Sequence, residues 1–123
     1  MSSKRILIVE DNEKNLKLIR DLMLYAGYET MEAVTGEEGV EKANRESPDL
    51  VLMDIQLPGL NGIEALLQLR SNTLTENIPV VAVTASAMTE DEQRIQSAGF
   101  DGYLRKPIDI DQVLATVKEI LEG

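Results

Sequence analysis

Three short apolar runs, at residues 6–9, 50–53 and 80–83, mark the most hydrophobic parts of the sequence. They lack the alternation of apolar and polar positions that a half-exposed strand would have, and this is typical of strands covered on both faces. Residues 29–34 form the most mixed strand candidate, and residues 102–105 form the shortest. We therefore predict five strands and place the last two candidates at the edges of the sheet.

Apolar residues recur at helical spacing in the segments between these strands. Gly27 stops the first of these helices, Pro48 ends the second and Gly99 ends the fourth. Four of the helices open with a capping pattern, in which a short polar residue is followed three positions later by Glu or Gln. These patterns are Thr35-x-x-Glu38, Asn61-x-x-Glu64, Thr89-x-x-Glu92 and Asp109-x-x-Gln112.

Each predicted helix presents one apolar face to the sheet. The second, third and last helices are expected to direct inward Val40, Ala43, Ile63, Leu66, Leu67, Ile110, Val113, Leu114, Val117 and Leu121. In the first helix the same role falls to Leu16, Ile19, Leu22, Met23 and Ala26. The sequence thus alternates strand and helix five times.

This alternation predicts an α/β fold with a doubly wound, five-stranded parallel sheet of order 2-1-3-4-5, covered by five helices as in flavodoxin-like proteins. We find no repeat, linker or low-complexity segment, so we expect one domain over residues 1–123. Ligands of such sheets bind beyond the carboxyl ends of the strands. The residues that follow each strand are therefore the candidates for chemistry.

The composition of the chain excludes several kinds of binding and catalytic site. A net charge of −10 disfavours direct contact with nucleic acids and with anionic membrane surfaces. The chain has no cysteine and no histidine, which excludes thiolate metal sites and Ser-His catalysis, and it cannot carry a phosphohistidine of its own. No apolar run is long enough for a signal peptide or a membrane span, so we expect a soluble, cytoplasmic protein.

Five polar residues follow the predicted strands, namely Glu10, Asp11, Asp54, Thr84 and Lys106. Carboxylates brought close together repel one another, and a hard cation such as Mg²⁺ would relieve that repulsion. A carboxylate such as Asp54 can attack phosphorus, while Lys106 and the Thr84 hydroxyl can stabilise the charge on the phosphoryl oxygens. Each residue taken singly is also compatible with a structural role.

Four motifs in this order resemble those of the response regulator receiver domain, the CheY-like family, over essentially the whole chain. They are Ile-Val-Glu10-Asp11-Asn12, Leu-Met-Asp54-Ile-Gln-Leu-Pro58-Gly-Leu-Asn-Gly62, Val-Thr84-Ala85 and Tyr103-Leu-Arg-Lys106-Pro107. The resemblance implies a phosphorylation switch of a two-component phosphorelay, with Asp54 as phosphoacceptor from a sensor histidine kinase or a histidine phosphotransfer protein. It also implies intrinsic Mg²⁺-dependent autophosphorylation and autodephosphorylation.

The same resemblance assigns roles to further residues. Glu10, Asp11, Asp54 and the backbone carbonyl of Gln56 would hold Mg²⁺. Thr84 and Tyr103 would form the switch pair, changing the face of the fourth helix, fifth strand and fifth helix, where a downstream protein target would bind.

The resemblance also implies that the peptide bond before Pro107 is cis. From their position we add a hypothesis of our own about Gln56 and Ser86, which each lie two residues beyond a site residue. Their side chains flank the place where water would approach the phosphoryl group, so we predict that they influence its lifetime.

We expect a single-domain, stand-alone receiver whose output is a protein contact, and three alternatives stay open from the sequence. The chain could be a receiver excised from a larger DNA-binding regulator or hybrid kinase. A haloacid-dehalogenase-like phosphatase would usually have a second Asp two residues after its nucleophile, where this chain has Gln56. A flavodoxin-type flavin site would need a hydroxyl-rich loop after the first strand, where the carboxylates of Glu10, Asp11 and Glu13 would repel the flavin phosphate.

Overall fold

The computed structural model describes residues 3–85 and 89–123, and within them five strands alternate with five helices. The strands are β1 (Arg5–Val9), β2 (Glu29–Ala33), β3 (Leu50–Asp54), β4 (Val80–Thr84) and β5 (Gly102–Arg105). The helices are α1 (Glu13–Tyr25), α2 (Gly36–Glu46), α3 (Gly62–Arg70), α4 (Thr89–Ala98) and α5 (Ile110–Glu122). The predicted alternation is confirmed.

The strands form one parallel sheet in the order β2-β1-β3-β4-β5, as predicted. The two least apolar strands, β2 and β5, lie at its edges. The carboxyl ends line up across the sheet, since Val9 pairs with Met53, and Asp54 pairs with Val83. This register brings the residues after β1, β3, β4 and β5 to a common edge.

Alternating side chains build a separate hydrophobic core on each face of the sheet. Ile6 and Ile8 of β1 pack with residues of α1 and α5 on one face. Leu7 and Val9 point to the other face and pack with residues of α2 and α3. Because both faces are covered, the central strands are apolar throughout, which explains the uninterrupted apolar runs in the sequence.

Side-chain caps fix where the helices begin. The predicted caps Thr35, Asn61 and Asp109 accept hydrogen bonds from backbone N–H groups in the first turns of α2, α3 and α5. Asn12 caps α1 in the same way, although no capping pattern predicted this role. Among the described residues, none of the helices is long and apolar enough to cross a membrane.

Three predicted inward positions are wrong: Ala26, the C-cap residue of α1, is exposed, and the other two are Leu67 and Ile110. Leu67 is 54% exposed and Ile110 is 50% exposed. The buried face of α3 runs through Gly62, Ala65, Leu66 and Leu69, and Leu67 lies about 100° around the helix from Leu66. Ile110 is the first residue of α5, directly after its cap Asp109, and the buried residues of this helix begin one turn later at Val113.

Candidate functional site

The polar residues after the central strands meet at the carboxyl edge of the sheet. Asp54 and Thr84 are the last residues of β3 and β4, and Glu10 directly follows β1. All three are buried: Glu10 is 1% exposed, Asp54 is 2% exposed and Thr84 is 1% exposed. Asp11 is exposed at the rim. The register of the parallel strands therefore produces the convergence that the sequence predicted.

The three carboxylates form a compact cluster. Glu10, Asp11 and Asp54 each offer one oxygen, and these oxygens all lie within 4.8 Å of one another. Three negative charges at this separation repel strongly in a partly buried setting. The cluster therefore requires a counter-charge, which is supplied in part by the protein and can be completed by a cation.

Lys106 supplies the protein's own counter-charge. Its Nζ lies 2.9 Å from Oε1 of Glu10 and 3.1 Å from Oδ2 of Asp54. Burial acts to lower the pKa of Lys106, but the two carboxylates outweigh it, and the net pKa lies above the usual value for lysine. Lys106 is therefore a charged group held between the two buried carboxylates.

The surroundings of Glu10 disfavour the ionised form of its side chain. Burial, together with the neighbouring Asp54, raises the pKa of Glu10 to about 7, although Lys106 and the backbone N–H of Asn12 act in the opposite direction. Its buried Oε1 lies 2.9 Å from the ammonium group of Lys106. Three carboxylates whose oxygens lie within 4.8 Å of one another carry more negative charge than Lys106 neutralises, and such a set of oxygen ligands fits a hard divalent cation.

The second oxygen of Asp54 is held by the segment that follows β3. The backbone N–H of Gln56 donates to Oδ1 of Asp54 at 2.9 Å. The N–H of Gly62 donates to the carbonyl of Ile55 at 3.1 Å and closes the base of this segment. A Cβ on Gly62 would lie 2.4 Å from the carbonyl oxygen of Asp54, so this close approach requires glycine.

A cavity of about 250 Å³ opens beside the site. Thr84 and Gln56 line it on the side of the carboxylates, and Ile95 lines it on the side of α4. The side chain of Gln56 is exposed. The cavity thus lies beside the end of β4 and the residues that directly follow β3.

Thr84 and Tyr103 lie on the same face of the sheet. Tyr103 pairs with Ala82, which is two residues before Thr84 on the neighbouring strand. Since Val83 and Leu104 both belong to the core beneath α1 and α5, alternation directs Thr84 and Tyr103 to the opposite face. Tyr103 is half-buried there. Their predicted roles as a switch pair remain predictions.

The remaining predicted positions have different outcomes. The peptide bond between Lys106 and Pro107 is cis. Ser86, predicted to tune phosphoryl lifetime, lies outside the described residues, as do the side chains of the predicted capping pair Thr89 and Glu92. The backbone carbonyl of Gln56 remains a predicted metal ligand.

One contributor to the site was missed from the sequence. The backbone N–H of Asn12 donates to Oε2 of Glu10 at 3.1 Å, while the side chain of Asn12 caps α1. Asn12 thereby fixes both the orientation of Glu10 and the start of the helix. Its cap was readable in principle, because asparagine directly before a helix is a strong start signal.

The chain matches the protein family described as the response regulator receiver domain over residues 6–118. It is similar to the polar-differentiation response regulator DivK of Brucella ovis, with 45% identity over 119 residues that cover 97% of each chain. DivK of Brucella anthropi is 46% identical over 118 residues, again with nearly complete coverage, at 96% of each chain.

Solved structures of related domains superimpose closely. The receiver domain of a sensor histidine kinase from Pseudomonas aeruginosa, with a magnesium ion coordinated in its active-site cleft, has a TM-score of 0.92 and 30% identity, covering 99% of this chain and all of that one. A response regulator from Chloroflexus aurantiacus, with the same coverage, has a TM-score of 0.94 and 29% identity. Chemotaxis protein CheY4 of Vibrio cholerae has a TM-score of 0.90 and 25% identity, with 98% of this chain and all of that chain covered.

Proposed function

The chain belongs to the response regulator receiver domain family of two-component signalling, and on that premise we propose that it accepts a phosphoryl group on the carboxylate of Asp54. One observation carries the assignment to Asp54. Its side chain lies at the end of a buried strand, with Lys106 at 3.1 Å from one oxygen and the N–H of Gln56 at 2.9 Å from the other. The ammonium group of Lys106 and the N–H of Gln56 orient the carboxylate nucleophile before any donor binds.

The donor in this proposal is a phosphohistidine on a sensor histidine kinase or histidine phosphotransfer protein. The chain has no histidine, so the phosphorylated imidazole belongs to a separate protein or domain. An oxygen of Asp54 attacks phosphorus, a P–O bond forms as the P–N bond breaks, and the leaving imidazole retains the electron pair and takes up a proton. Lys106 and the hydroxyl of Thr84 stabilise the negative charge on the transferred group.

Mg²⁺ is the cofactor we propose for this site. Glu10, Asp11, Asp54 and the backbone carbonyl of Gln56 would hold it, and the close approach of the three carboxylates supports this assignment. When bound, the ion supplies positive charge against the phosphoryl oxygens. The magnesium-containing receiver domain from Pseudomonas aeruginosa provides a precedent in a chain of similar fold.

We propose that the output is a change in the face formed by α4, β5 and α5. A phosphoryl group adds about −1.5 to −2 charges and three strong hydrogen-bond acceptors at the end of β3. The hydroxyl of Thr84 would turn toward it, and Tyr103 on the same face would move into the vacated space. A downstream protein target would then bind the altered face, and residues 1–123 would act as one receiver unit.

Slow self-dephosphorylation is part of the same proposal. The cavity lined by Gln56 and Thr84 would give water an approach to the phosphorylated carboxylate. Side chains at the rim of that cavity would therefore set the lifetime of the phosphoryl group. We place Gln56 in this role, and Ser86 with it by the spacing from Thr84.

Intact-mass measurement after incubation with acetyl phosphate tests the assignment. The wild type is expected to gain one phosphoryl group in the presence of Mg²⁺ and none after chelation. Asp54→Asn should abolish the gain, whereas Asp21→Asn, on the exposed surface of α1, should leave it unchanged. Modification that persists in Asp54→Asn would assign the chemistry to another residue.

A further inference from the structure

We propose that Glu37, in the first turn of α2, is a positioning residue for residues 55–61, the segment that carries Gln56. This inference rests on the proposed function, in which the Gln56 carbonyl is a metal ligand. Glu37 belongs to none of the motifs of the site, and it follows β2, which contributes no residue to the cluster of carboxylates. Its effect on the metal would therefore be indirect, through the backbone of the segment.

The carboxylate of Glu37 lies against the middle of this segment. Its Oε1 accepts a hydrogen bond from the N–H of Leu60 at 3.4 Å. Its Oε2 lies so close to Gly59 that a Cβ there would be only 2.9 Å away. Gly59 has a φ of +71°, in the left-handed region, so glycine serves both the turn and the close approach of Glu37.

The backbone at the start of α2 packs directly against the same segment. A Cβ on Gly36 would lie 2.1 Å from the carbonyl oxygen of Leu60, so the absence of a side chain at Gly36 lets the two backbones touch. Gly36 is itself buried. Two consecutive residues of α2 thus contact Leu60: Gly36 lies against its carbonyl, and the carboxylate of Glu37 accepts from its N–H.

The rest of the segment is fixed from the side of the site. The N–H of Gln56 is bonded to Asp54, the carbonyl of Ile55 is bonded to Gly62, and the side chain of Leu57 is buried. The first contact involves the nucleophile itself, which changes on phosphorylation or metal binding. Glu37 provides a restraint from a different helix that does not depend on the state of Asp54.

Loss of this restraint should weaken Mg²⁺ binding by leaving the Gln56 carbonyl less well oriented. One hydrogen bond typically contributes a factor of about 3 to 10 to an equilibrium, so we expect an effect of that size. Removal of a negative charge near an acidic site could also reduce cation affinity. The experiment must separate the hydrogen bond from the charge.

Mg²⁺ titration by calorimetry on the full chain separates them with three variants. Glu37→Ala is expected to raise the Mg²⁺ dissociation constant about 3- to 10-fold. Glu37→Gln keeps a carbonyl acceptor without the charge and should stay within about twofold of wild type. Glu41→Ala removes an exposed carboxylate from the same helix and should also bind like wild type. Equal weakening in the alanine and glutamine variants would overturn the proposal in favour of a charge effect.

Amide hydrogen exchange in the metal-free protein gives a second, independent measurement. The amides of residues 56, 57, 59 and 60 should exchange several-fold faster in Glu37→Ala than in wild type, and Glu37→Gln should restore protection. Unchanged exchange in Glu37→Ala would overturn the positioning role even if Mg²⁺ affinity fell. If wild type itself failed to bind Mg²⁺, the proposed metal site would fail, while this exchange measurement would still decide the role of Glu37.

Discussion

Lys106 reaches across β4 to place its ammonium group 3.1 Å from Oδ2 of Asp54, although their strands are not neighbours in the sheet. The same ammonium lies 2.9 Å from Glu10, beyond Asp54 on the far side of β3. One cation thus serves two buried carboxylates. Replacing Lys106 should therefore change the free energy of unfolding more than replacing one of the carboxylates.

Lys106→Met is expected to lower the free energy of unfolding by roughly 1–3 kcal/mol at pH 8 without metal, because it leaves two buried carboxylates unpaired. Asp54→Asn should change it by less than about 1 kcal/mol, since Lys106 keeps Glu10 as a partner and one repulsion disappears. Urea denaturation of both variants in EDTA measures the difference. A loss in Asp54→Asn as large as that in Lys106→Met would contradict this account of the charges.

The pH dependence of Mg²⁺ binding should report on Glu10. With a pKa of about 7, Glu10 is largely protonated at pH 6, and the metal must displace that proton. The apparent Mg²⁺ affinity should therefore fall by up to about tenfold per pH unit below 7 and level off above it. Calorimetric titrations at pH 6, 7 and 8 would measure the slope and the proton released.

The same group gives a stability prediction with a definite sign. The pKa of Glu10 is higher in the folded protein than its usual value of 4.5, so the folded state binds the proton more tightly than the unfolded state. The contribution of Glu10 to metal-free stability is therefore greatest below about pH 4.5 and is lost as the pH rises to about 7. Glu10→Gln should remove this trend and flatten the pH dependence of Mg²⁺ binding. A trend that persists in Glu10→Gln would assign it to another group.

Much of this fold was predictable because its signals are local. Continuous apolar runs identify the central strands, capping residues such as Thr35 and Asn61 mark helix starts, and the alternation of elements leaves few topologies. The convergence of Glu10, Asp54 and Lys106 follows from strand ends alone. Exposure at Leu67 was mispredicted because a leucine next to an inward position on a helix carries no signal of which side it occupies.

The contacts that link separate elements were not predictable from the sequence. Glu37 meets Leu60 across 23 positions of the chain, and only the packing of α2 on α3 brings them together. The raised pKa of Glu10 likewise depends on burial and on distances to Asp54 and Lys106. Such features arise from tertiary geometry, which a local pattern does not encode.

Replacing Gln56 with alanine should shorten the lifetime of the phosphoryl group without abolishing its formation. The exposed side chain stands at the rim of the cavity beside Asp54, and its loss opens the approach for water. We expect the phosphoryl group to be lost at least about threefold faster, which corresponds to a small decrease in activation free energy. Ser86→Ala tests the other predicted tuning position, and Gln68→Ala on the exposed side of α3 is the control. Equal decay in wild type, Gln56→Ala and Ser86→Ala would reject the tuning role.

Gly62→Ala should damage the site through the backbone alone. The added Cβ would lie 2.4 Å from the carbonyl oxygen of Asp54 and 2.8 Å from Cα of Ile55, so β3 and the following segment must separate. Overpacking of this kind costs about 1–3 kcal/mol, and the shift would also misplace the N–H of Gln56 against Asp54. We therefore expect a lower urea midpoint together with slower phosphorylation by acetyl phosphate. Gly102→Ala is the matched control, since its Cβ would meet ordinary contacts at 3.8 Å and 3.9 Å. If Gly62→Ala were as stable and as reactive as Gly102→Ala, the close approach of α3 to the end of β3 would not be what holds Asp54 in place.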